Sequence, residues 1–312
     1  MNAKRLIIIC LFLISTTVFA QQGPISTIFV ENPFAFNPAI AGTDNGFRLR
    51  YNGRMQWMGF GDGPITNTLS VHGPHQIRPM GYGGNLSVDN TGPISTIKAS
   101  GTYAHNIFIT SDIRASFGLS LGFIQYRVDG TLFEFPETNM DRSAQEAVMA
   151  NFKPDAGAGV YIYHYDWYFG LAAQQLFGSN LSLSNDPEKI KNQANNLKTH
   201  FYGYGGYRQP LVNRFLLEPS VLIRKIAVLP MQMDLIIRAI YDNQLWGGIS
   251  TRYTFDPKKP FDDICLIFGY IHERRLYFSV AWDFTFAQIR TYTAGTMEFV
   301  IGYNFDDLKR GR

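Results

Sequence analysis

The residues of this chain with the widest chemical range are its histidines and its two cysteines. His72-Gly-Pro-His75 is the one close histidine pair. Its spacing could serve a metal ion, but no cysteine or clustered carboxylate accompanies it, so no metal site is expected there. His272-Glu273-Arg274-Arg275 lacks the second histidine of a zinc-binding helix. Cys10 lies in an apolar N-terminal run, and Cys265 stands in Ile264-Cys265-Leu266-Ile267-Phe268, where it reads as a small buried hydrophobe. No Gly-x-Ser-x-Gly elbow occurs. Gly81-Tyr-Gly83-Gly84 and Gly203-Tyr-Gly205-Gly206 sit inside alternating segments, where glycine relieves crowding rather than cradling phosphate. Neither a catalytic residue nor a cofactor or metal ligand is expected.

The elements that carry these residues explain why so little chemistry is on offer. The chain has 312 residues, with 15% aromatic and only 17% charged side chains, against about 25% charged in typical soluble domains. With 28 Lys+Arg and 25 Asp+Glu the charge is nearly balanced, which argues against nucleic-acid binding. Lys4 and Arg5, the apolar stretch to Phe19 and the small Ala20 form a secretory signal peptide over 1–20. After it no apolar stretch is long enough for a membrane helix.

Strict two-residue alternation takes over instead. Leu276, Phe278, Val280, Trp282, Phe284 and Phe286 alternate with small or polar residues. Phe47 to Trp57, Ile113 to Phe123 and Met297 to Phe305 behave alike. Such segments suit strands that cross a bilayer at a tilt, which take ~9–11 residues. Fourteen are expected: 46–58, 65–75, 79–89, 94–106, 112–127, 156–164, 167–177, 199–209, 213–224, 230–241, 244–255, 262–272, 275–287 and 294–306. Short turns follow the even-numbered strands, and the long connections 128–155 and 178–198 fall on the other side. The expected fold is therefore all-β: a transmembrane antiparallel up-and-down β-barrel of about 14 strands. Residues 21–45 would form a periplasmic N-terminal segment or a plug, 46–306 the barrel in an outer membrane, and 307–312 a tail, with both termini periplasmic.

The second face of these strands carries Arg48, Arg50, Arg54, Arg114, Glu218, Arg224, Asp234, Arg238, Arg252, Asp283 and Glu298. An arginine facing lipid at mid-depth costs about 2–4 kcal/mol, so this face is assigned to the lumen. There the charges form a network that holds the barrel's shape, or they line a solute path or a docking groove.

Three motifs follow one another: Asn37-Pro38-Ala39-Ile40-Ala41-Gly42, then Arg54-Met-Gln56-Trp57, then Pro64-Ile-Thr66. In that order they resemble the PorP/SprF family of outer-membrane proteins of the type IX secretion system. Downstream come Glu218-Pro219-Ser220 through Arg224, where the family usually has lysine, and the ending Gly295-Thr-Met-Glu298, which departs from the family's Gly-Ser-His-Glu at two positions. The match runs over about 30–306. The motif positions Asn37, Pro38, Ala39, Gly42, Arg54, Gln56, Trp57, Pro64, Pro219, Arg224 and Glu298 are expected to be structural. Pro38 fixes φ and Gly42 can turn the chain into the first strand.

The resemblance implies a non-enzymatic barrel that helps to secrete or anchor a surface protein such as a large gliding-type adhesin. Its implied partners are outer-membrane lipid, periplasmic ring and peptidoglycan-binding components, and the C-terminal domain of the cargo. The alternative is a passive or fatty-acid-type transporter. A rim-located hydrolase is a third reading, which requires Ser, His and a carboxylate to converge.

Overall fold

The computed structural model describes residues 26–129, 131, 148–180, 197–212, 214–227, 229–256, 261–286 and 288–305. The signal peptide, the tail and most of both long connections lie outside them. Among the described residues fourteen strands of eight residues or more follow one another: β1 Arg48–Met55, β2 Ile65–Pro74, β3 Met80–Thr91, β4 Ile94–Phe108, β5 Arg114–Asp129, β6 Val148–Tyr163, β7 Trp167–Gln174, β8 His200–Tyr207, β9 Phe215–Ile226, β10 Gln232–Tyr241, β11 Leu245–Thr254, β12 Phe261–His272, β13 Leu276–Thr285 and β14 Thr296–Asn304. Each pairs antiparallel with its chain neighbour, and β14 pairs with β1 in the register Arg54↔Glu298. The sheet is thus a closed barrel with no free edge, which is the condition for strands in hydrocarbon. No helix of the described residues is long and apolar enough to cross a membrane.

The alternation sets the two faces. Phe117, Leu119, Leu121, Ile237, Ile249 and Phe268 are exposed on the outside. Their inward neighbours Ser116, Ser120, Arg238, Ser250 and Ile267 are buried. Pro219 lacks an N–H, and the ladder between β8 and β9 breaks beside it, at Arg208, before two residues, Gln209–Pro210, resume the pairing.

One boundary differs clearly from expectation. β6 starts at Val148, not 156, so 148–155 belong to the strand and not to the connection. Pro154 falls inside this stretch. It stands opposite Phe123 within the ladder, while Asp155 keeps the inward alternation. β7 ends at Gln174 because Gln175 takes a left-handed φ of 60°.

The interior is occupied by the chain that precedes β1. Ile28, Phe29, Phe34, Ala39, Ile40 and Ala41 are all buried. Two short 3₁₀ turns, Pro33–Ala35 and Pro38–Ile40, shape this segment, and each has its proline at the first position, where no N–H is missed. The second is capped by Asn37, whose Oδ1 accepts from Ala39 N at 2.9 Å. Asn37 Nδ2 donates to Val160 O and Tyr204 Oη, both at 3.2 Å. Phe36 packs edge-on against Tyr204 with centroids 5.1 Å apart, and Phe34 lies 4.6 Å from the His72 ring.

The wall makes room for the segment with glycine. A Cβ on Gly118 would run into the backbone of Pro38 and Ala39, one on Gly159 into Asn37, and one on Gly81 into Ala41 and Gly42. Gly42 itself turns with φ 73°. Gly101, by contrast, has nothing within 4 Å.

Replacing Gly118 with Val should therefore unseat the segment while leaving the barrel closed. In folded wild-type protein the buried Glu31 should resist a glutamate-specific protease. Gly118→Val should expose it to cleavage, and Gly101→Val should not.

Candidate functional site

Among the described residues the lumen is where polar side chains from distant parts of the chain converge. Alternation lines it, so each inward position on one strand stands beside an inward position on the next. From β9 to β14, and across to β1, this produces three layers along the barrel axis.

The first layer is ionic. Asp234 accepts from Arg224 Nη2 at 2.6 Å and from Arg252 Nε at 2.7 Å. Arg252 reaches on to Asp263 at 3.2 Å. Arg54 donates to Asp283 at 3.0 Å and to Glu298 at 2.8 Å. Thr27 of the inner segment joins both carboxylates. Its N–H donates to Glu298 at 2.8 Å and its hydroxyl to Asp283 at 2.8 Å, and Ser26 Oγ donates to Glu298 at 2.5 Å. The second layer is apolar: Leu222, Ile236, Cys265, Ile267, Ala281 and Val300, each at most 2% exposed, pack with Ile28 and Phe29. The third is ionic again. Arg238 donates to Glu218 at 2.9 Å and to Glu31 of the inner segment at 2.7 Å. Trp246 Nε1 donates to Glu31 at 3.0 Å, Tyr168 Oη to Glu218 at 3.0 Å, and Arg208 Nε to Glu218 at 3.2 Å.

Most of the candidate lumen charges therefore meet partners, but three do not join these clusters. Arg50 Nη2 donates to the Asn304 side chain at 2.7 Å, and its guanidinium lies 4.2 Å over the Tyr277 ring. Arg48 reaches Asp44 at 3.6 Å. Arg114 stands apart at the end of β5, its guanidinium 4.7 Å over the Phe108 ring. The remaining motif residues shape the end of β1. Gln56 N donates to Pro64 O at 2.8 Å, and Trp57, with φ 56°, donates from its N to Thr296 Oγ1 at 3.3 Å.

The two histidines of the close pair do not converge. His72 is buried in the lumen against Phe34. His75 closes its own turn, its Nδ1 accepting from the backbone N–H of Ile77 and Arg78 at 3.1 Å. Among the described residues no cluster could hold a metal ion.

Thr27, Glu31 and Asp263 belong to this site and were not picked out from the sequence. For Asp263 the signal was present, since it shares the inward alternation of Cys265. For Thr27 and Glu31 there was none beyond their place before β1.

Removing Arg238 leaves the buried Glu31 without a cation and Glu218 with Arg208 alone, whereas removing the charge of Glu31 leaves Arg238 its bond to Glu218. Breaking a buried pair costs about 3–5 kcal/mol. Arg238→Met should accordingly lower the denaturant midpoint of the barrel in detergent micelles by more than Glu31→Gln, read by tryptophan fluorescence.

This fold and its sequence were compared with known proteins. The search of curated proteins found no match. Among solved structures the CymD monoaromatic hydrocarbon channel is similar at a TM-score of 0.51 and 12% identity, covering 91% of this chain and 94% of that one. The toluene transporter TodX of Pseudomonas putida is similar at 0.50 and 10% identity, covering 93% and 99%. At such identities the likeness is one of fold: an outer-membrane barrel. The sequence profile of the family described as type IX secretion system membrane protein PorP/SprF matches residues 18–303. With that match over nearly its whole length, the chain belongs to the PorP/SprF family of type IX secretion system membrane proteins.

Proposed function

We propose that this barrel helps to secrete or anchor a particular surface protein of the type IX system, such as a large gliding-type adhesin, and that it does so without catalysis. Family membership makes it an outer-membrane barrel of that system. The observation that carries the finer reading is the filled lumen. Residues from Ser26 to Gly42 bridge β1, β10, β11, β13 and β14 on one side and seat on glycines of β3, β5 and β6 on the other. A barrel so occupied suits holding a partner better than passing solute. A transporter of fatty-acid type would need this segment displaced.

The partners in this reading are the periplasmic ring and peptidoglycan-binding components, met at the short-turn end, and the cargo's C-terminal domain. Both termini are then periplasmic, with the long connections facing out.

Deleting the gene and comparing surface and medium proteins with wild type tests the proposal. Loss of one or two large surface proteins is the expected result. Loss of every type IX cargo would make the barrel a general component. An unchanged surface proteome would overturn the secretion role and favour transport.

A further inference from the structure

The inner segment does not fill the lumen evenly. Ser26 to Glu31 lean on the ionic wall of β10–β14. Across from that wall they leave an open chamber against β2–β8. Inward hydroxyls line it: Thr66, Thr68, Ser87, Ser100 and Ser120. Phe29, Phe36 and Tyr202 supply apolar faces.

Two charges in this chamber break the pattern of the rest of the lumen. Lys98 on β4 and Asp155 on β6 both face it, with β5 between them. They lie within electrostatic range of one another. Among the described residues, though, no nitrogen–oxygen pair within 4.0 Å joins either to a partner charge. The one other carboxylate near Lys98, Asp89, is engaged by the Thr66 hydroxyl at 2.5 Å. Every arginine of the opposite ionic layer, by contrast, holds a carboxylate.

Lys98 is held in place by a neutral group. Gln175, in the left-handed conformation with φ 60°, turns its side chain inward directly after the inward Gln174. With its amide in the orientation that satisfies both ends, Oε1 accepts from Lys98 Nζ at 2.7 Å, and Nε2 donates to His200 Nε2 at 3.2 Å and to Lys198 O at 2.8 Å. His200 then carries its proton on Nδ1, 3.3 Å from Tyr202 Oη. A non-glycine residue in this backbone region is strained, and such strain marks functional positions. Here it orients an ammonium group without neutralising it.

An ammonium and a carboxylate that form no ion pair within 4.0 Å, two strands apart on one wall of a chamber of hydroxyl and aromatic groups, complement a ligand that offers a carboxylate and N–H donors a short distance apart. We propose that the chamber binds a short extended peptide with a free carboxylate, the carboxylate on Lys98 and backbone N–H groups on Asp155. Phe29 and Phe36 receive its side chains. The site does not depend on the secretion role proposed above. Its ligand can come from a free peptide or from the end of a larger protein, since both present the same chemistry.

Calorimetric titration of the full mature chain in detergent micelles tests this, with tetra-alanine as probe in its free-acid and C-terminally amidated forms. The free acid should bind at least tenfold more tightly than the amide. Lys98→Met should weaken the free acid at least tenfold, Lys98→Arg should restore most of it, and Asp155→Asn should weaken it several-fold. Unboiled gel migration confirms that each variant is a folded barrel. The acid-versus-amide comparison is made on wild-type protein and decides the matter even where a variant does not fold. Equal binding of acid and amide, no binding of either, or wild-type affinity in Lys98→Met overturns the proposal. Titrating the same four residues at the end of a folded carrier protein separates the sources. Binding there assigns the site to protein ends, and binding of free tetra-alanine alone assigns it to free peptides; both outcomes support it.

Discussion

A strand in hydrocarbon has no choice about its two faces. Its outer side chains must be apolar and its polar ones must turn inward, where water is scarce and each charge needs a partner. Fourteen strands enclose more space than inward side chains fill. Arginines placed on the wall at Arg54, Arg224, Arg238 and Arg252 therefore determine much of what else the lumen contains. Each meets a carboxylate on a neighbouring strand, and the chain ahead of β1 joins the clusters through Thr27 and Glu31.

The ionic layers are separated by an apolar one, and that order is stabilising in itself. Ile28 and Phe29 cover Leu222, Ile236, Ile267 and Val300, so each ionic cluster is backed by side chains that exclude water. The pairs are thus strong in attraction but costly to break singly. The wall's pairs are complete without the segment: Arg54 keeps Asp283 and Glu298, and Arg238 keeps Glu218. The segment's own seating rests on its bonds to Glu298 and Arg238 and also on shape, through the glycines at 81, 118 and 159.

The strands were legible in the sequence because alternation is a local signal, and fourteen segments could be placed within a few residues. The exception was β6, which starts at Val148 rather than 156. The inward charges were legible as a face for the same reason. Their pairing was not. Arg54 meets Asp283 and Glu298 more than two hundred positions away, and only the closed register brings them together. Arg114 shows the limit of reading a face alone: the alternation turns it inward, but its place at the strand's end leaves it stacked on Phe108 rather than paired. Thr27, Glu31 and Lys98 were unremarked for a similar reason, since their importance lies in the neighbours that closure supplies.

The seam between β1 and β14 gives this arrangement an order in time. Thr27 contacts Arg54 on β1, Glu298 on β14 and Asp283 on β13. Those strands come from opposite ends of the chain and meet only when the cylinder shuts. Thr27 can hold all three only once the seam is sealed, so the docking of the last strand, the longest loop closure of the barrel, is also what makes its polar cluster with the N-terminal stretch possible.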